Sequence, residues 1–404
     1  MTAALALDPA QQAMLDGRNG WPQQIAMRLL VAVARAFDAP RLIPVASVHL
    51  SLSGVSVGEP GRRLFEDLVA RGGRFVVPTT LNVLSLDRSA AAPGDASGPP
   101  ATQLAIAAAC ESLGGRPTYS CNPFLLDIVP ARGESVAWNE SATAPYVNGV
   151  LGARTNREGA TALASALTGF TAEYGMHVAS ARRGGVAIEV DTPLDGADAF
   201  AVLGGAVGRA CGARIPVVAG LRRTPTLDEF TAFCAALAAV SPVAMFHMVG
   251  ITPEAPASLD RLGTAVRLDA RALAAETARH STATGERVDL VAVGCPHASL
   301  EQVHEVAALV GDAHVADGTR FVVQTSMFIA EAAARSGAAA RLRAAGVELS
   351  ADTCVHIAYR QAPPGSTMAT NSLKIAYLTG SHDVGVHFGT LAQCVAAGVT
   401  GVWR

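Results

Sequence analysis

Three of the seven cysteines stand near the expected carboxyl ends of strands. Cys121, Cys295 and Cys354 each come directly after a short β-rich run, or within a few residues of it. In open α/β sheets ligands bind beyond the carboxyl ends of the strands, so we expect the loops with these thiols to approach one site. No two cysteines are at C-x-x-C spacing, which argues against a zinc ribbon, a thioredoxin-like site and a secreted disulfide framework. Any metal site must therefore be assembled by the fold. The preceding runs are Pro117–Ser120, Val288–Val293 and Val347–Ser350.

The other four cysteines lie within Ala-rich helical patterns. Cysteine in such a setting usually acts as a small buried apolar residue, and we expect that role for them. They are Cys110, Cys211, Cys234 and Cys394.

Three thiolates on three loops suit an iron–sulfur cluster with one open iron. A cubane held by three cysteines leaves its fourth iron without a protein ligand, and an open iron can act as a Lewis acid on a departing hydroxyl group. Ser299 and Gln302 form a capping box, which places Cys295 just ahead of a helix N-terminus that favours anionic sulfur. His297 is either a hydrogen-bond partner of a cluster sulfide or substrate, or an ordinary loop histidine.

Polar residues near other strand ends could bind a substrate. Asn82 ends the segment Thr79–Asn82, which follows the expected strand Phe75–Pro78. Glu140 and Ser141 stand at an expected helix start, where a carboxylate can also simply cap its own helix. Lys374 could bind a carboxylate or a phosphate, or be a solvated lysine at a helix start.

Two glycine patterns suggest other chemistry. Gly54 to Gly58 fits the G-x-S-x-G motif, which raises the alternative of a serine hydrolase with Ser56 as nucleophile. The segment Gly58–Gly61 separates this motif from its helix, which argues against a nucleophile elbow. Gly204 to Gly208 hints at a dinucleotide loop, but its Ala-rich helical context favours close helix packing.

Composition excludes several classes of protein. The chain has 404 residues, 50% hydrophobic and 16% charged, with a net charge of -3. Opposite charges are interspersed, so we expect neither nucleic-acid nor membrane binding. The start has no cationic or apolar leader, and Arg28 and Arg35 interrupt the apolar run between them. We expect a cytoplasmic protein with small-molecule or protein partners.

Short β-rich runs alternate with Ala-rich helical stretches throughout the chain. This alternation predicts an α/β fold of layered lobes with mainly parallel sheets. Weak boundaries near Gly159 and Gly285 suggest lobes over residues 1–159, 160–285 and 286–404.

Seven stretches resemble the aconitase X family, a branch of the aconitase superfamily, over nearly the whole chain. The sequence departs from the usual family pattern at Val83, Asn139 and His356, which bears on substrate identity more than on cluster binding. The stretches are Ser51–Ser56, Val77–Asn82, Cys121–Phe124, Trp138–Ser141 with Asn148–Arg157, Gly294–His297, Asp352–Cys354 and Asn371–Lys374.

The resemblance implies an aconitase-like core in which Cys121, Cys295 and Cys354 ligate an iron–sulfur cluster. The cysteines are compatible with a 4Fe-4S, a 3Fe-4S or a 2Fe-2S form. Ser56 becomes a binding residue rather than a nucleophile. The positions that would contact substrate are Gly54, Val55, Ser56, Asn82, Glu140, Ser141 and Lys374.

The reaction implied is dehydration by the large subunit of a two-part enzyme. Bacterial-type members convert cis-3-hydroxy-L-proline to Δ1-pyrroline-2-carboxylate, and archaeal-type members act on mevalonate 5-phosphate. The Lys-poor composition favours the bacterial type, and besides Lys374 only Arg154 and Arg157 offer cations for a phosphate. In the family a small swivelling domain supplies the serine base. We find no such domain before Arg404, so we expect a heterodimer with a small subunit and little activity without it.

Overall fold

The computed structural model describes residues 5–87, 98–354, 364–380 and 382–404. His356, one of the departures from the family pattern, lies outside them. The amino-terminal part has six helices and a three-stranded parallel sheet in the order β3-β2-β4, with an antiparallel pair β1-β5. Its helices are α1 Pro9–Leu15, α2 Trp21–Ala36, α3 Gly54–Ala70, α4 Gly98–Ser112, α5 Thr143–Pro145 and α6 Ala160–Thr168. Its strands are β1 Leu42–Pro44, β2 Val48–Leu50, β3 Thr79–Leu81, β4 Ala137–Trp138 and β5 Phe170–Ala172.

Helix α3 is two helical pieces joined at a kink. Gly58 has a φ of 55° and a ψ of -159°, values that a residue with a Cβ rarely adopts, and Pro60 follows it within the helix. The kink matches the expectation that Gly58–Gly61 separates the glycine motif from the main helix.

The middle part is a four-stranded parallel sheet in the order β8-β7-β6-β9, with three helices. Helices α7 and α8 pack closely, because a Cβ on Gly204 would lie 2.3 Å from the Phe233 carbonyl oxygen. This confirms that the Gly204–Gly208 pattern serves helix packing. The elements are α7 Gly196–Cys211, α8 Leu227–Val240, α9 Ala270–Arg279, β6 Val186–Val190, β7 Pro216–Ala219, β8 His247–Met248 and β9 Val266–Leu268.

The carboxyl-terminal part is a five-stranded parallel sheet in the order β12-β11-β10-β13-β14, covered by helices. Its strands are β10 Leu290–Val293, β11 Arg320–Thr325, β12 Val347–Ala351, β13 Ser366–Thr370 and β14 Val384–Phe388. Its helices are α10 Leu300–Val310, α11 Met327–Arg335, α12 Ala338–Ala344, α13 Leu373–Thr379 and α14 Leu391–Thr400.

The predicted α/β class with mainly parallel sheets is confirmed. The division into three lobes stays a prediction; the first hydrophobic core includes residues as far as Ala172. None of the helices in the described part of the chain is both long and apolar enough to cross a bilayer.

Two of the expected strands are placed differently. The strand expected at Phe75–Pro78 lies at Thr79–Leu81, because the amides of Phe75 and Val76 donate to carbonyls of Leu113 and Ala166 instead of to a neighbouring strand. Residues 117–120 form no strand; Arg116 makes a single bridge with Thr80.

Candidate active site

A cavity of about 390 Å³ opens between the amino-terminal and carboxyl-terminal parts of the chain. Loops that follow β2, β3, β4, β10 and β12 reach it, together with the first turns of α13. Its lining residues are Ser51, Ser53, Val55, Ser56, Asn82, Val83, Leu84, Cys121, Glu140, Gly294, Cys295, Pro296, His297, Cys354, Lys374, Ile375 and Leu378.

Eight of the ten residues expected at the site line this cavity. The other two adjoin it. Gly54 lies between the lining residues Ser53 and Val55, and the Ser141 hydroxyl is 3.4 Å from Oε1 of Glu140.

Each cysteine of the cavity is delivered by a different local structure. Cys295 follows the last residue of β10 by two positions, and Ser299 caps α10 as expected, with its side chain accepting from the Gln302 amide. Cys354 follows β12 after a turn at Asp352, whose φ is 66° and whose Oδ1 accepts from the Met327 amide at 2.9 Å. Cys121 precedes the 3-10 turn at Pro123–Leu125.

His297 ties the three cysteine loops together. Its backbone N–H donates to Sγ of Cys121 at 3.2 Å, and its carbonyl accepts from Nδ2 of Asn122 at 3.2 Å. Its ring Nε2 donates to the Thr353 carbonyl at 2.5 Å, next to Cys354. Burial lowers the pKa of His297 to about 4, so the ring is neutral near pH 7 and its buried Nδ1 keeps a lone pair with no partner among the described residues. His297 is thus a buried residue that joins the loops of Cys121 and Cys354, and its hydrogen bond to a cluster sulfide or substrate stays a prediction.

The donor set of the cavity suits a multinuclear iron centre. Burial, with the charge of Glu140 and the neighbouring Cys295, raises the pKa of Cys121 well above its usual value. Burial also raises the pKa of Cys295, against the effect of Lys374. Two thiols that resist ionisation need added positive charge to become thiolate ligands, which a bound iron–sulfur cluster would supply. Among the described residues, no three His, Cys, Asp or Glu side chains are grouped as the ligands of a metal ion.

The four remaining cysteines are buried within helices, as predicted. Each is at most 1% exposed, and burial raises the pKa of each. They are Cys110 in α4, Cys211 in α7, Cys234 in α8 and Cys394 in α14.

Glu140 and Lys374 form an ion pair across the cavity. Nζ of Lys374 donates to Oε1 of Glu140 at 2.7 Å, and the side chains are 16% and 14% exposed. Nδ2 of Asn82 donates to Oε2 of Glu140 at 3.1 Å, and the Ala142 amide donates to Oε1 at 3.1 Å. The carboxylate faces the cavity, and the alternative that it caps its own helix is wrong, because the N-cap of α5 is Ala142 and α5 has no side-chain cap.

Both partners of this pair are charged. Burial alone would raise the pKa of Glu140, but Lys374 and the hydrogen bonds from Ala142 and Asn82 lower it to about 2. Burial opposes the charge on Lys374, yet Glu140 and the cysteines Cys295 and Cys121 raise its pKa above the usual value. The cavity therefore offers one cation and one anion side by side.

Lys374 is the only lysine of the chain. It lies at the second position of α13, whose N-cap Ser372 accepts from the Ile375 amide. The presence of one lysine in a chain rich in arginine could have singled out this residue, whereas motif spacing did not.

The apolar wall of the cavity was also missed. Leu84, Ile375 and Leu378 lie beside the polar groups. Lys374 and Leu378 are four positions apart on α13, and residues at that spacing share a helix face. Once Lys374 is placed at the site, helical periodicity identifies Leu378.

Neither of the two arginines considered for phosphate binding lines this cavity, although Arg157 lies close enough to Glu140 for that carboxylate to raise its pKa against the effect of burial. Arg154 lines a separate cavity with Ser135 and His177, and its Nη1 donates to the His177 carbonyl at 3.0 Å. Nη1 of Arg157 donates to the Ser241 carbonyl at 3.0 Å. Among the described lining residues, Lys374 is the one charged cation.

Ser56 lies in the first turn of α3 and is exposed. Its amide donates to the Ser53 carbonyl at 2.9 Å. A nucleophile elbow requires a sharp turn directly from strand to helix, which this helical turn does not provide.

Comparison with known protein families gives matches along the whole chain. Family models for the aconitase X first, second and third domains match residues 4–180, 184–278 and 288–400. A crystal structure of Thermococcus kodakaraensis aconitase X in its holo-form superimposes with a TM-score of 0.87 at 27% identity, covering 98% of this chain and all of that one.

Two groups of characterised relatives are similar to the chain. A cis-3-hydroxy-L-proline dehydratase of Pseudomonas aeruginosa is 37% identical over 98% of this chain and 70% of its own length. A phosphomevalonate dehydratase large subunit of Methanothermobacter thermautotrophicus is 35% identical over 87% of this chain and 88% of its own length.

Proposed function

Because the chain belongs to the aconitase X family and is therefore a hydro-lyase, we propose that it dehydrates cis-3-hydroxy-L-proline to Δ1-pyrroline-2-carboxylate. The Lys374–Glu140 ion pair is the observation that supports this choice of substrate. The substrate is a zwitterion, and the pair presents one group of each sign within 2.7 Å.

Each group of the ion pair can bind one of the two charges of the substrate. The Lys374 ammonium binds the carboxylate, and the Glu140 carboxylate accepts from the ring ammonium. Asn82 then holds the second oxygen of Glu140, as it does in the structure. A phosphate of charge near -2 would need further cations, and the described lining residues provide none.

Cys121, Cys295 and Cys354 are the residues that would hold an iron–sulfur cluster in this cavity. When bound, the cluster supplies a Lewis-acidic iron for the leaving 3-hydroxyl group. His297 keeps the three loops in register, and Leu84, Ile375 and Leu378 exclude water from the reacting carbons.

The elimination removes a proton from C2 and hydroxide from C3, which together make one water. The resulting enamine tautomerises to the Δ1-imine by moving a proton from nitrogen to carbon. We assign the removal of the C2 proton to a serine on a separate small subunit. The Methanothermobacter relative is named as a large subunit, which supports a two-part enzyme here.

The test is anaerobic co-purification of the chain with a candidate small subunit, followed by assays on both substrates. We expect loss of one water from cis-3-hydroxy-L-proline, detected by mass spectrometry, and no turnover of mevalonate 5-phosphate. The chain alone is expected to show little activity. Iron and sulfide analysis of the same sample identifies the form of the cluster.

trans-4-Hydroxy-L-proline is the matched control, since its hydroxyl is not on the carbon next to C2. Turnover of mevalonate 5-phosphate with no turnover of the hydroxyproline would reverse the choice of substrate. Ester hydrolysis lost in Ser56→Ala, from a protein without iron, would favour the serine hydrolase instead.

A further inference from the structure

Gln103 is a buried polar residue on α4 that touches two loops of the site. It is 0% exposed, and its side chain makes four hydrogen bonds. Oε1 accepts from the Gly54 amide at 2.7 Å, from the Ser85 amide at 2.9 Å and from the Ser85 hydroxyl at 2.5 Å. Nε2 donates to the Leu52 carbonyl at 3.1 Å. Both ends of the amide are therefore satisfied in one orientation.

These partners belong to two of the segments that carry expected substrate contacts in the amino-terminal part. Leu52 and Gly54 flank the start of α3, which presents Val55 and Ser56. Ser85 lies three residues after Asn82. Gln103 itself does not line the cavity.

The approach of the two segments is tight. A Cβ on Gly54 would lie 3.3 Å from Oγ of Ser85 and 3.4 Å from Oε1 of Gln103. The Gly54 amide is also one of the N-terminal donors that a helix leaves without an internal partner, and the N-cap Ser53 makes no side-chain cap. One amide oxygen thus replaces the missing cap and joins the helix to the next loop.

The same loop is held from its other side by the carboxyl-terminal part. The Leu84 amide donates to the Asp352 carbonyl at 2.8 Å, and the Ser350 hydroxyl donates to Oδ2 of Asp87 at 2.6 Å. Asp352 stands two residues before Cys354. Residues 82–87 therefore connect the start of α3, through Gln103, with the loop of a cysteine.

We propose that Gln103 is a positioning residue of the active site, which fixes residues 53–56 and 82–85 relative to each other for substrate binding. Its kinetic consequence rests on the proposed function, whereas its structural consequence does not. Removing the acceptor leaves the amides of Gly54 and Ser85 without their partner, so both segments gain mobility while the fold and the cysteine loops persist.

The structural test is hydrogen–deuterium exchange of Gln103→Met without substrate. We expect exchange in segments 53–57 and 82–87 to rise about tenfold over the parent chain. Gln11→Met is the matched control, because Gln11 is also a buried glutamine of the amino-terminal part, at 4% exposure, but does not line the cavity. Unchanged exchange in both segments would overturn the proposal.

The kinetic test uses the chain with its small subunit and cis-3-hydroxy-L-proline. Gln103→Met is expected to raise KM about tenfold with a smaller change in kcat and unchanged iron content, because substrate contacts are displaced and the cysteines are not. Gln103→Glu keeps the acceptor and is expected to hold KM within about threefold of the parent. Ser85→Ala removes one of the three donors and serves if Gln103→Met fails to fold; its expected rise in KM is about twofold to threefold.

Equal KM values in Gln103→Met and the parent, or in Ser85→Ala and the parent if Gln103→Met does not fold, would overturn the proposal. So would a rise in KM of the same size in Gln11→Met, which would indicate general loosening. A parent enzyme that turns over neither substrate would contradict the proposed function, and the exchange experiment would still decide the role of Gln103.

Discussion

The ammonium group in the cavity belongs to the one lysine of the chain, Lys374. Arginine and protonated histidine supply every other side-chain cation. Lys374 is compact enough to reach Oε1 of Glu140 at 2.7 Å while remaining close to Cys121 and Cys295. A guanidinium is larger and planar, and it prefers a two-pronged carboxylate contact. We therefore expect this position to require an ammonium and not only a positive charge.

Lys374→Arg is expected to lower kcat/KM for the hydroxyproline about 100-fold, because the fork would occupy the space of the substrate carboxylate. Steady-state kinetics of the complex measure it. Arg320→Lys is the control, since Arg320 pairs with Glu348 at a half-exposed surface site, and it should stay within about twofold of the parent. Parental activity in Lys374→Arg would show that the mechanism does not require an ammonium group at this position.

Residue types identified the site better than they identified its contacts. The three cysteines, Glu140 and Lys374 follow from strand ends and from family resemblance, and the structure brings them to one cavity. The link from His297 to Thr353 and the bonds of Gln103 to Gly54 and Leu52 join residues more than 45 positions apart. Such pairs depend on the packing of whole loops, which a linear pattern does not contain.

At the scale of elements, helix packing sets the stability of the middle part. A Cβ on Gly204 would overlap the Phe233 carbonyl oxygen, so α7 and α8 would have to separate. Gly204→Ala is expected to lower the free energy of unfolding by about 1–3 kcal/mol. Urea unfolding measures it, with Gly380→Ala as control, because a Cβ there would meet no atom closer than 3.4 Å and its φ of -57° and ψ of -10° suit alanine. A neutral Gly204→Ala would show that the helices can move apart freely.

A buried carboxylate on α9 links this helix to α7. Oε2 and Oε1 of Glu276 accept from Arg209 at 2.9 and 3.0 Å, and Nε2 of His280 lies 2.9 Å from Oε1. Burial would raise the pKa of Glu276, but the bonds from His280 and Arg209 lower it to about 2. The carboxylate therefore stabilises the fold above its unfolded pKa of 4.5 and loses that effect as the pH falls toward 2.

Glu276→Gln is expected to cost about 2 kcal/mol of unfolding free energy near pH 7 and to flatten the loss of stability between pH 4.5 and 2. Denaturant titrations over that pH range measure both effects. Glu331→Gln, at an exposed site on α11, should leave the pH profile of the parent unchanged. If Glu276→Gln lost stability below pH 4.5 as steeply as the parent, other groups would be responsible for that loss.

Element types were predictable and element edges were not. Alternating β-rich and Ala-rich runs gave the α/β class, and the Ser299 capping box gave the start of α10. The strand expected at Phe75–Pro78 moved to Thr79–Leu81 because tertiary partners took the earlier amides. Local propensity cannot anticipate such partners.

At the scale of the whole molecule, the cavity is built from the two ends of the chain. Its described lining residues lie between Ser51 and Glu140 or between Gly294 and Leu378. The middle part supports them from outside: Asp228 accepts from the Ser299 hydroxyl at 2.8 Å, and Asp198 accepts from Asn371 at 3.0 Å. Side chains from all three parts of the chain thus position one site, and the three aconitase X family models together match most of the chain.

We propose that Cys121, Cys295 and Cys354 together hold the iron of this dehydratase. Iron and sulfide content per chain, measured after anaerobic purification of single Cys→Ala variants, tests it most directly. Each of these three variants is predicted to lose iron about tenfold, whereas Cys211→Ala and Cys394→Ala, at buried helical sites, keep the parental content. Full iron in any of the three variants, or equal loss in the two controls, would contradict it.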